Sequence, residues 1–360
     1  MPANKKVTIS GRNTGSRIVS VGTSNPPRKY TQKEVVELYG ETNPKIVQFF
    51  MNGYNISRCL YLPEPVNGKM PEESNQDLIN KHLGGALEIG PLAIEDCLKP
   101  IGLSSYDIDF FCVTSSTGFL CPGLSAHLAK KMGFRENVYR ADLLGMGCSA
   151  GLNGLRNVAA LACSNTGKLG LLLCVEICSA AYVYNDKIST AVVNSLFGDG
   201  AAAALITQSD TNILKQGPVI TDFESHTIPE SIDAMKFELE DSKLSFYLDR
   251  DIPYVIGANV EKPVKRLLGR HSLKYRNIDH WIVHSGGKKV IDAIEYNIGL
   301  TDHDLRHTLS VLRDYGNLSS ASFLFSCKEL MRENIVKEGD IGVVITMGPG
   351  TTIETALLVW

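Results

Sequence analysis

LLGMGCSAGLNG, residues 143–154, places one cysteine, Cys148, among small residues. Leucine, valine and alanine then recur at helical spacing over residues 155–163, so we expect the Cys148 sulfur at the start of a helix. There, unpaired backbone N–H groups and the positive end of the helix dipole favour a thiolate, and the glycines let a substrate approach closely. The alternative is a buried structural thiol, because free cysteine is among the most buried residue types. A catalytic role for Cys148 therefore needs partner residues elsewhere in the chain.

The composition is that of a globular protein. The chain has 360 residues and 44% hydrophobic content, enough for one large domain or two fused halves. Its net charge of −3, with scattered lysine and arginine, gives no sign of a nucleic-acid or polybasic membrane partner. The nine cysteines include no C-x-x-C pair, which favours a reducing compartment over a disulfide framework or zinc ribbon. Without an apolar leader or a run of about 18 apolar residues, the sequence predicts no membrane contact and a cytoplasmic protein.

Helices and buried strands alternate along the chain. Apolar runs predict strands over residues 17–22, 108–114 and 169–175, the last being a central parallel strand. Helices are predicted over residues 30–43, entered through Thr31, and over residues 46–61, 77–97 and 122–132, with a loop over residues 62–76. This alternation predicts an α/β protein with parallel strand pairs.

The chain also repeats itself. Residues 108–115, IDFFCVTS, resemble residues 278–285, IDHWIVHS, and nearly the same offset brings Gly147-Cys148 onto Gly316-Asn317. A third echo links GDGA at 198–201 with GDIG at 339–342, at a shorter offset. We therefore expect two copies of one strand–helix–strand module, in an N-terminal half over residues 1–208 and a C-terminal half over residues 209–360.

Duplicated halves bring equivalent strand ends together near a pseudo-twofold axis. Cys148 follows the end of its predicted strand at about the distance at which Asn317 follows His284. Taken alone, a histidine at a strand end is more often a core residue, and a Gly-Asn pair is usually a turn. At matched positions of a repeat, Cys148, His284 and Asn317 are predicted to converge in one pocket.

Six motifs in order now resemble a known family. They are the Cys148 turn, NSLFGDGA at 194–201, LSFYL at 244–248, His284, GNLSS at 316–320 and GPG at 348–350. From about Arg17 to Trp360 the chain resembles the type III polyketide synthases, which are chalcone-synthase-like enzymes of the thiolase superfamily. Within them, residues 303–325, including RDYGN, look most like the bacterial branch that makes 3,5-dihydroxyphenylacetyl-CoA. The resemblance implies a thiolase-like α/β fold of five layers, αβαβα, and a homodimer.

The resemblance also implies three catalytic roles. Cys148, as a thiolate paired with the imidazolium of His284, attacks a thioester and holds the growing chain. His284 and the side-chain amide of Asn317 donate to the thioester oxygen of malonyl-CoA and stabilise the enolate left by decarboxylation. The resulting carbanion then attacks the Cys148 acyl group in a Claisen condensation.

Further residues match the family positions that line the substrate cavity. Phe197 and Phe246 match the aromatic gatekeepers between the coenzyme A tunnel and the cavity, where an apolar ring disfavours a carboxylate. The alternative for both is an ordinary core role. The resemblance implies that the other cavity positions are Ser319, Gly348, Pro349, Gly350 and Cys121, the last of which lines the cavity or reaches into it across the dimer.

The implied reaction is decarboxylative condensation of four malonyl-CoA units, as starter and extender, to 3,5-dihydroxyphenylacetyl-CoA. The alternatives are a synthase that takes another acyl-CoA and releases a resorcinol or α-pyrone, a ketosynthase III that uses acyl carrier protein, and a non-catalytic acyl-CoA-binding homologue. An accessory dehydratase-type enzyme is a further potential partner. Because Arg58 is the only cation over residues 52–62, the phosphate site for coenzyme A stays unassigned. Ala180, Ala181 and Met347 depart from the plant pattern and imply a cavity of different size.

No cofactor or metal is predicted beyond the coenzyme A thioesters, which are substrates. The spacing Gly145-x-Gly147-x-x-Ala150 fits a loose dinucleotide fingerprint, but no acidic residue follows at about 20 residues. His303 and His307 have the i, i+4 spacing of helical metal ligands, yet no other ligand clusters with them in the sequence. A solvated helix face is the better interpretation of that pair.

Overall fold

The computed structural model describes residues 15–164, 168–185, 187–209 and 216–360. The strands of these residues, β1 to β13, are Ser16–Ser24, Lys29–Thr31, Ser57–Cys59, Phe110–Thr114, Tyr139–Leu143, Leu169–Glu176, Gly200–Gln208, Val219–Thr227, Met235–Glu240, Lys243–Leu248, His280–Val283, Ile341–Gly348 and Thr352–Val359. The α-helices, α1 to α10, are Gln32–Tyr39, Pro44–Met51, Asn75–Leu98, Leu124–Met132, Ala150–Ser164, Ile188–Leu196, Ile252–Arg270, Lys288–Ile298, Arg306–Tyr315 and Ser322–Glu333.

Local signals explain most helix boundaries. Thr31 caps α1 through a reciprocal bond with Glu34, and Gly40 ends the helix in the left-handed conformation, three residues before the predicted end. Ser74 caps α3 in the same way. The predicted helix over residues 46–61 is wrong in its second half, because α2 ends at Met51 and β3 follows. Antiparallel pairing of β3 with β2 there overrides the local helical pattern.

One nine-stranded sheet carries the duplication, in the order β11-β12-β13-β8-β1-β7-β6-β4-β5. Counted outward from the central β1–β8 pair, β4 and β11 take the same place, and each runs parallel to its inner neighbour. The remaining inner pairs are antiparallel on both sides. The expected duplication is therefore confirmed, since the two matching segments IDFFCVTS and IDHWIVHS form equivalent strands.

The expected equivalence of GDGA at 198–201 and GDIG at 339–342 is wrong. The GDGA segment leads into β7, the second strand outward from the centre of its half, whereas GDIG leads into β12, the third strand outward. Both segments have a Gly-Asp turn before a buried strand, which is a common local arrangement and explains the similarity. The shorter offset was the sign that the two segments are not related by the repeat.

Among the described residues, the two halves of the sheet join only where β1 pairs with β8, with Ser16 opposite Ile220 and Arg17 opposite Val219. One layer of helices lies between the halves, and further helices cover their outer faces. α5 and α10 share one buried core with strands of both halves, including Leu155, Phe323, Leu172 and Val344. α3 packs on the outer face of the N-terminal half. α7 and α8 pack on the outer face of the C-terminal half. These contacts give the five layers αβαβα and confirm the thiolase-like fold.

The apolar run predicted as a central strand forms β6, which is buried on both faces. Leu171 and Leu173 point towards α3, whereas Leu172 and Cys174 point towards the central helices. Such two-sided burial explains why the strand reads as a continuous apolar run. It pairs in parallel with β4, as expected, but antiparallel with β7.

The predicted division into halves at residues 208 and 209 falls between β7 and β8. Residues 210–215, beside that division, and residues 1–14, at the start of the predicted N-terminal half, lie outside the described residues. The domain bounds therefore stay a prediction. Among the described helices, none has both the length and the apolar character needed to cross a membrane.

Candidate active site

Cys148 lies where the sequence predicted it, at the start of a helix. It belongs to a single turn of 3₁₀ helix, Gly147–Ser149, that runs directly into α5. The side chain is buried, and burial raises the pKa of the Cys148 thiol to about 12. Interactions with the side chains of Ser319 and Asn317 lower that pKa, but by less than burial raises it. The expected thiolate is therefore not produced by the helix start alone.

The Cys148 side chain opens into a cavity with about 370 Å³ of empty space. Its walls are formed by small, hydroxyl-bearing and aromatic residues, with no charged side chain among the described residues: Ser116, Thr117, Gly147, Cys148, Cys178, Ala181, Tyr182, Val193, Phe197, Phe237, Phe246 and Ser319. The cavity thus brings together four of the predicted site residues, Cys148, Phe197, Phe246 and Ser319. A negatively charged group would be poorly solvated between these walls.

Asn317 reaches the cysteine from the C-terminal half. Its backbone pairs with that of Phe197, and its N–H donates to Leu196 O at 2.9 Å. The Asn317 Oδ1 atom accepts the Ser319 N–H at 2.8 Å. Because the turn occupies this oxygen, the side-chain NH2 group is left to act as a donor. The Asn317 side chain lies close enough to Cys148 to lower the pKa of its thiol, so these two predicted residues are brought near each other.

His284 follows β11 directly and is buried. Its backbone N–H donates to the backbone oxygen of Ile345 at 2.8 Å. Burial lowers the pKa of its imidazole to about 3, and Nδ1 has no hydrogen-bond partner among the described residues. A Cβ atom added to Gly286 would lie 3.4 Å from His284 Nε2 and 3.7 Å from Met347 Sδ. His284 therefore lies beside the segment that leads to Gly348. The structure shows no hydrogen bond between His284 and Cys148 in the described part of the chain.

The Gly348-Pro349-Gly350 loop packs on the Cys148 turn. A Cβ atom on Gly348 would lie 2.6 Å from Ser149 N, and one on Gly147 would lie 2.5 Å from Pro349 Cγ. Gly147 also has a φ of 51°, which favours glycine. Gly350, with a φ of 75°, turns the chain into β13. The loop thus packs against the turn that carries Cys148. None of the three loop residues is among those that line the cavity.

Cys121 is not brought to the cavity within one chain. The side chain is exposed, and the residue precedes Pro122 on the loop between β4 and α4. Of the two roles that the resemblance implies for Cys121, the one in which it lines the cavity of its own chain is not what the structure shows. Its role across a dimer stays a prediction.

Phe237 is a cavity residue that the sequence interpretation missed. It lies on β9 directly opposite Phe246 on β10, and the two rings meet edge to face at 5.4 Å. Phe246 in turn meets Phe197 at 5.5 Å. The signal was present in the sequence, because the two-residue Asp241-Ser242 turn between alternating strands fixes this register.

Glu176 is a second missed residue, located just behind the cavity wall. Its carboxyl is fully buried and accepts hydrogen bonds from Ser116 N at 2.9 Å and from Ser116 Oγ at 2.8 Å. It also accepts from the Ser320 hydroxyl of the other half. Burial raises the pKa of this carboxyl. The contact ties β6 to the turn that carries Asn317.

Arg58, the only cation over residues 52–62, is fully buried. Its guanidinium donates to Gln32 Oε1 and to Phe197 O, both at 2.7 Å, and to Tyr182 Oη at 2.9 Å. A side chain so enclosed cannot reach a phosphate in solvent. Arg58 instead holds the backbone of Phe197 in place.

The histidines at 303 and 307 belong to no metal cluster in the described residues. His307 lies on α9, and its Nε2 bonds to Glu333 at 2.9 Å, beside the ion pair between Arg306 and the same carboxylate. This contact accounts for the His307 side chain without a bound ion.

Comparison with known proteins agrees with this arrangement. Residues 68–210 match the N-terminal domain of chalcone and stilbene synthases, and residues 221–359 match their C-terminal domain. A 3,5-dihydroxyphenylacetyl-CoA synthase from Streptomyces toyocaensis is 47% identical over 350 residues, covering 96% of this chain and 90% of that protein. Another from Amycolatopsis balhimycina is 45% identical and covers 100% of this chain and 97% of that protein.

A solved structure gives the same result for the fold. The 1,3,6,8-tetrahydroxynaphthalene synthase of Streptomyces coelicolor A3(2), a bacterial type III polyketide synthase, superposes with a TM-score of 0.87 at 26% identity. The match covers 96% of this chain and 99% of that one. With both family domains matched and relatives similar over nearly their whole length, the chain belongs to the chalcone and stilbene synthase family and is a type III polyketide synthase, an enzyme of the acyltransferase class.

Proposed function

We propose that the protein makes 3,5-dihydroxyphenylacetyl-CoA from four molecules of malonyl-CoA, in successive decarboxylative Claisen condensations on Cys148. The observation that carries this proposal is the cavity itself. It holds two cysteine sulfurs, those of Cys148 and Cys178, and several hydroxyl and aromatic groups, with no charged side chain among the described residues. The names of the relatives at 45–47% identity supply the product.

The cavity walls favour loss of the malonyl carboxylate. Phe197, Phe237 and Phe246 surround the space next to Cys148 with aromatic rings. A carboxylate is poorly solvated there, and carbon dioxide, which is neutral, is not. Decarboxylation leaves an enolate whose oxygen needs hydrogen-bond donors. The side-chain NH2 group of Asn317 and the ring N–H of His284 would supply them.

The nucleophile and the imidazole would have to ionise together. Burial disfavours each ion alone, because it raises the pKa of the Cys148 thiol to about 12 and lowers the pKa of His284 to about 3. A thiolate and an imidazolium formed at the same time attract each other, which offsets part of both desolvation costs. We propose that the thiol proton moves to His284 as Cys148 attacks the starter thioester and coenzyme A departs.

A groove beside the His284 loop suits the coenzyme A part of the substrate. Its walls include Gln48, Asn52 and Leu196, and Lys288 and Lys289 lie at the start of α8. Leu196 is the neighbour of Phe197, so the groove adjoins the cavity wall. Lys288 pairs with Asp292, whereas Lys289 is exposed and has no ion pair among the described residues. We propose that these two lysines, rather than Arg58, bind the phosphates.

This assignment predicts a specific kinetic effect. Lys289→Ala should raise KM for malonyl-CoA with little change in kcat, because the residue contacts a part of the substrate that does not react. Lys337→Ala, which removes a lysine remote from the groove, is the matched control. Equal KM values for the two variants would contradict the assignment.

The assembly and location of the enzyme are part of the proposal. We propose a cytoplasmic homodimer, in which Cys121 lies near the partner subunit. Sedimentation of the purified protein should give twice the mass of one chain, and a monomer would contradict the dimer. We also propose that an accessory dehydratase-type enzyme completes the release of water from the cyclised product.

The decisive experiment uses the purified enzyme with ¹³C-labelled malonyl-CoA alone. Mass spectrometry should detect 3,5-dihydroxyphenylacetyl-CoA, or its hydrated precursor, with every acyl carbon labelled. A product that requires another acyl-CoA would favour the resorcinol or pyrone alternative. If neither carbon dioxide nor product is formed, the proposed activity is contradicted.

A further inference from the structure

Tyr182 separates the reaction cavity from a second, larger cavity. It lines the cavity of Cys148 and also an outer cavity with about 1420 Å³ of empty space. Among the residues that the structure describes, it alone belongs to both linings. The side chain is only 5% exposed. Tyr182 therefore lies between the two spaces.

The ring of Tyr182 is held firmly in place. Its hydroxyl donates to Phe197 O at 2.5 Å and accepts from Arg58 Nη1 at 2.9 Å. Arg58 is itself fixed, because its guanidinium also bonds to Gln32 and to the backbone of Asn194. A buried tyrosine with both of these bonds made cannot swing aside without leaving Arg58 short of a partner. The wall is therefore closed in the wild-type protein.

The outer cavity is lined by aromatic, aliphatic and charged side chains. The rings of Tyr39 and Tyr184 stack at 3.3 Å, and Tyr184 meets Tyr182 edge to face at 6.0 Å. Aliphatic side chains add to this surface: Leu38, Met70, Pro71, Leu78 and Val183. The charged lining residues are Glu37, Glu72, Glu73, Asp241, Lys69 and Lys243.

Carboxylates outnumber ammonium groups in this lining. The balance disfavours phosphates and carboxylates, so the outer cavity is not suited to coenzyme A or to a malonyl group. An uncharged alkyl chain has no such conflict and would bury apolar surface against the stacked rings and the aliphatic side chains.

We propose that Tyr182 sets the longest acyl group that the Cys148 cavity accepts, and that the outer cavity would receive a linear alkyl chain once the ring is removed. This inference rests on the proposed function, in which Cys148 carries the acyl chain. In the loading step the sulfur forms a bond to the thioester carbonyl, the bond to coenzyme A breaks, and the thiol proton leaves with coenzyme A. With the wall in place, a long chain on the sulfur meets the ring. Short starters are thereby selected.

The test measures loading of Cys148 directly. Intact-protein mass spectrometry follows transfer of the acyl group from hexanoyl-, octanoyl- and decanoyl-CoA to the enzyme, with Cys148→Ala as the blank. Tyr182→Ala should raise the initial rate with octanoyl- and decanoyl-CoA at least about tenfold over wild type, since each methylene that finds an apolar pocket changes selectivity strongly. Tyr182→Phe keeps the ring and should exclude both long chains as the wild type does.

Tyr184→Ala is the matched control. Its ring lines only the outer cavity. The wall stays in place in this variant, so long-chain loading should stay at the wild-type rate. If Tyr182→Ala proves insoluble, Tyr182→Leu makes the same comparison with a smaller loss of volume.

Two outcomes would overturn the inference. One is a wild-type enzyme that loads decanoyl-CoA as fast as Tyr182→Ala or Tyr182→Leu. The other is a folded Tyr182 variant, with a wild-type melting curve, that loads hexanoyl-CoA but neither longer chain. The loading assay does not depend on the final product, so an enzyme that makes something other than 3,5-dihydroxyphenylacetyl-CoA would refute the proposed function and leave this result interpretable.

Discussion

The turn at Cys148 in the N-terminal half and the turn at Asn317 in the C-terminal half occupy corresponding places in the two copies of the module. Each leads through a short 3₁₀ helix into a central helix, α5 or α10. Cys148 lies inside its 3₁₀ helix, whereas Asn317 lies two residues before Ser319–Ala321. This shift frees Asn317 to bond the Ser319 N–H with its side-chain oxygen while its NH2 group stays available.

The difference between the turns shows how one scaffold came to carry two kinds of chemistry. The N-terminal copy supplies a sulfur that can hold an acyl chain. In the proposed mechanism, the C-terminal copy supplies hydrogen-bond donors, from Asn317 and from His284 at the end of β11. Under this division, changes in the two halves should affect different steps of the reaction.

Removal of the sulfur should have the largest effect. Cys148→Ala should lower condensation by at least about 10⁴-fold, because the proposed mechanism carries the acyl chain on this sulfur, while malonyl-CoA is still decarboxylated. Product formation and release of labelled carbon dioxide measure the two steps separately. Cys163→Ala, which removes a thiol outside the cavity, should retain both. Loss of decarboxylation in Cys148→Ala would show that the halves are not separable.

A change in the C-terminal turn should act on the other step. Asn317→Asp keeps the oxygen that accepts the Ser319 N–H but replaces the NH2 donor. Decarboxylation should fall by about 10²- to 10³-fold, the usual cost of losing one donor to a developing oxyanion. Melting curves should match those of the wild type, since the turn keeps its bond. An unchanged rate of carbon dioxide release would contradict the assigned role of Asn317.

The pairing of the two halves can be tested through the pH dependence of alkylation. Without His284, burial leaves the pKa of the Cys148 thiol near its raised value of about 12. The reactive thiolate then increases with pH throughout the range from 7 to 10. At pH 7 His284→Ala should react with iodoacetamide at least about 100-fold more slowly than wild type. If both proteins give the same pH profile, the thiolate–imidazolium pair does not form.

The packing between the two halves should be sensitive to the addition of a single methyl group. A Cβ atom on Gly151 of α5 would lie 2.7 Å from Phe323 Cε1 and closer still to Ser320 O, both in the other half. Gly151→Ala should therefore lower the free energy of unfolding by about 3 kcal/mol, the upper range for overpacking.

A second glycine provides the control for this prediction. Gly84 lies in α3, and an added Cβ atom would have no neighbour within 4 Å. Gly84→Ala should raise the free energy of unfolding by about 0.5–1 kcal/mol through the lower entropy of the unfolded chain. Urea unfolding measures both variants. Similar stabilities would mean that the central layer is less tightly packed than the structure shows.

Much of the fold could be predicted because its signals are local. Apolar runs identify β4, β6 and β11, and the capping pair Thr31–Glu34 marks the start of α1. The segment over residues 46–61 failed because strand pairing between β2 and β3 is non-local, and single-chain periodicity does not report it. The prediction that GDGA and GDIG are equivalent was wrong because similar turn motifs indicate a repeat only when they are separated by the same number of residues as the other repeated segments.

The candidate site could be predicted in part for the same reason. The repeat predicts that Cys148 and Asn317 converge, and the structure places Asn317 near the Cys148 thiol. Phe237 could have been found from the Asp241-Ser242 hairpin. Arg58 could not, because its burial depends on carbonyl groups far away in sequence. The state of the Cys148 thiol also depends on burial by distant segments, which outweighs the local effect of the helix start.

The position of β1 in the sheet has a consequence for biosynthesis. Its nine residues lie at the centre, and their principal partner, β7, comes about 180 residues later in the chain. A ribosome therefore releases this strand, with unpaired edges, well before its neighbour exists. The nascent chain must be kept from aggregating during that interval. Yield in a foreign host should consequently depend more on chaperone capacity and growth temperature than on the stability of the finished enzyme.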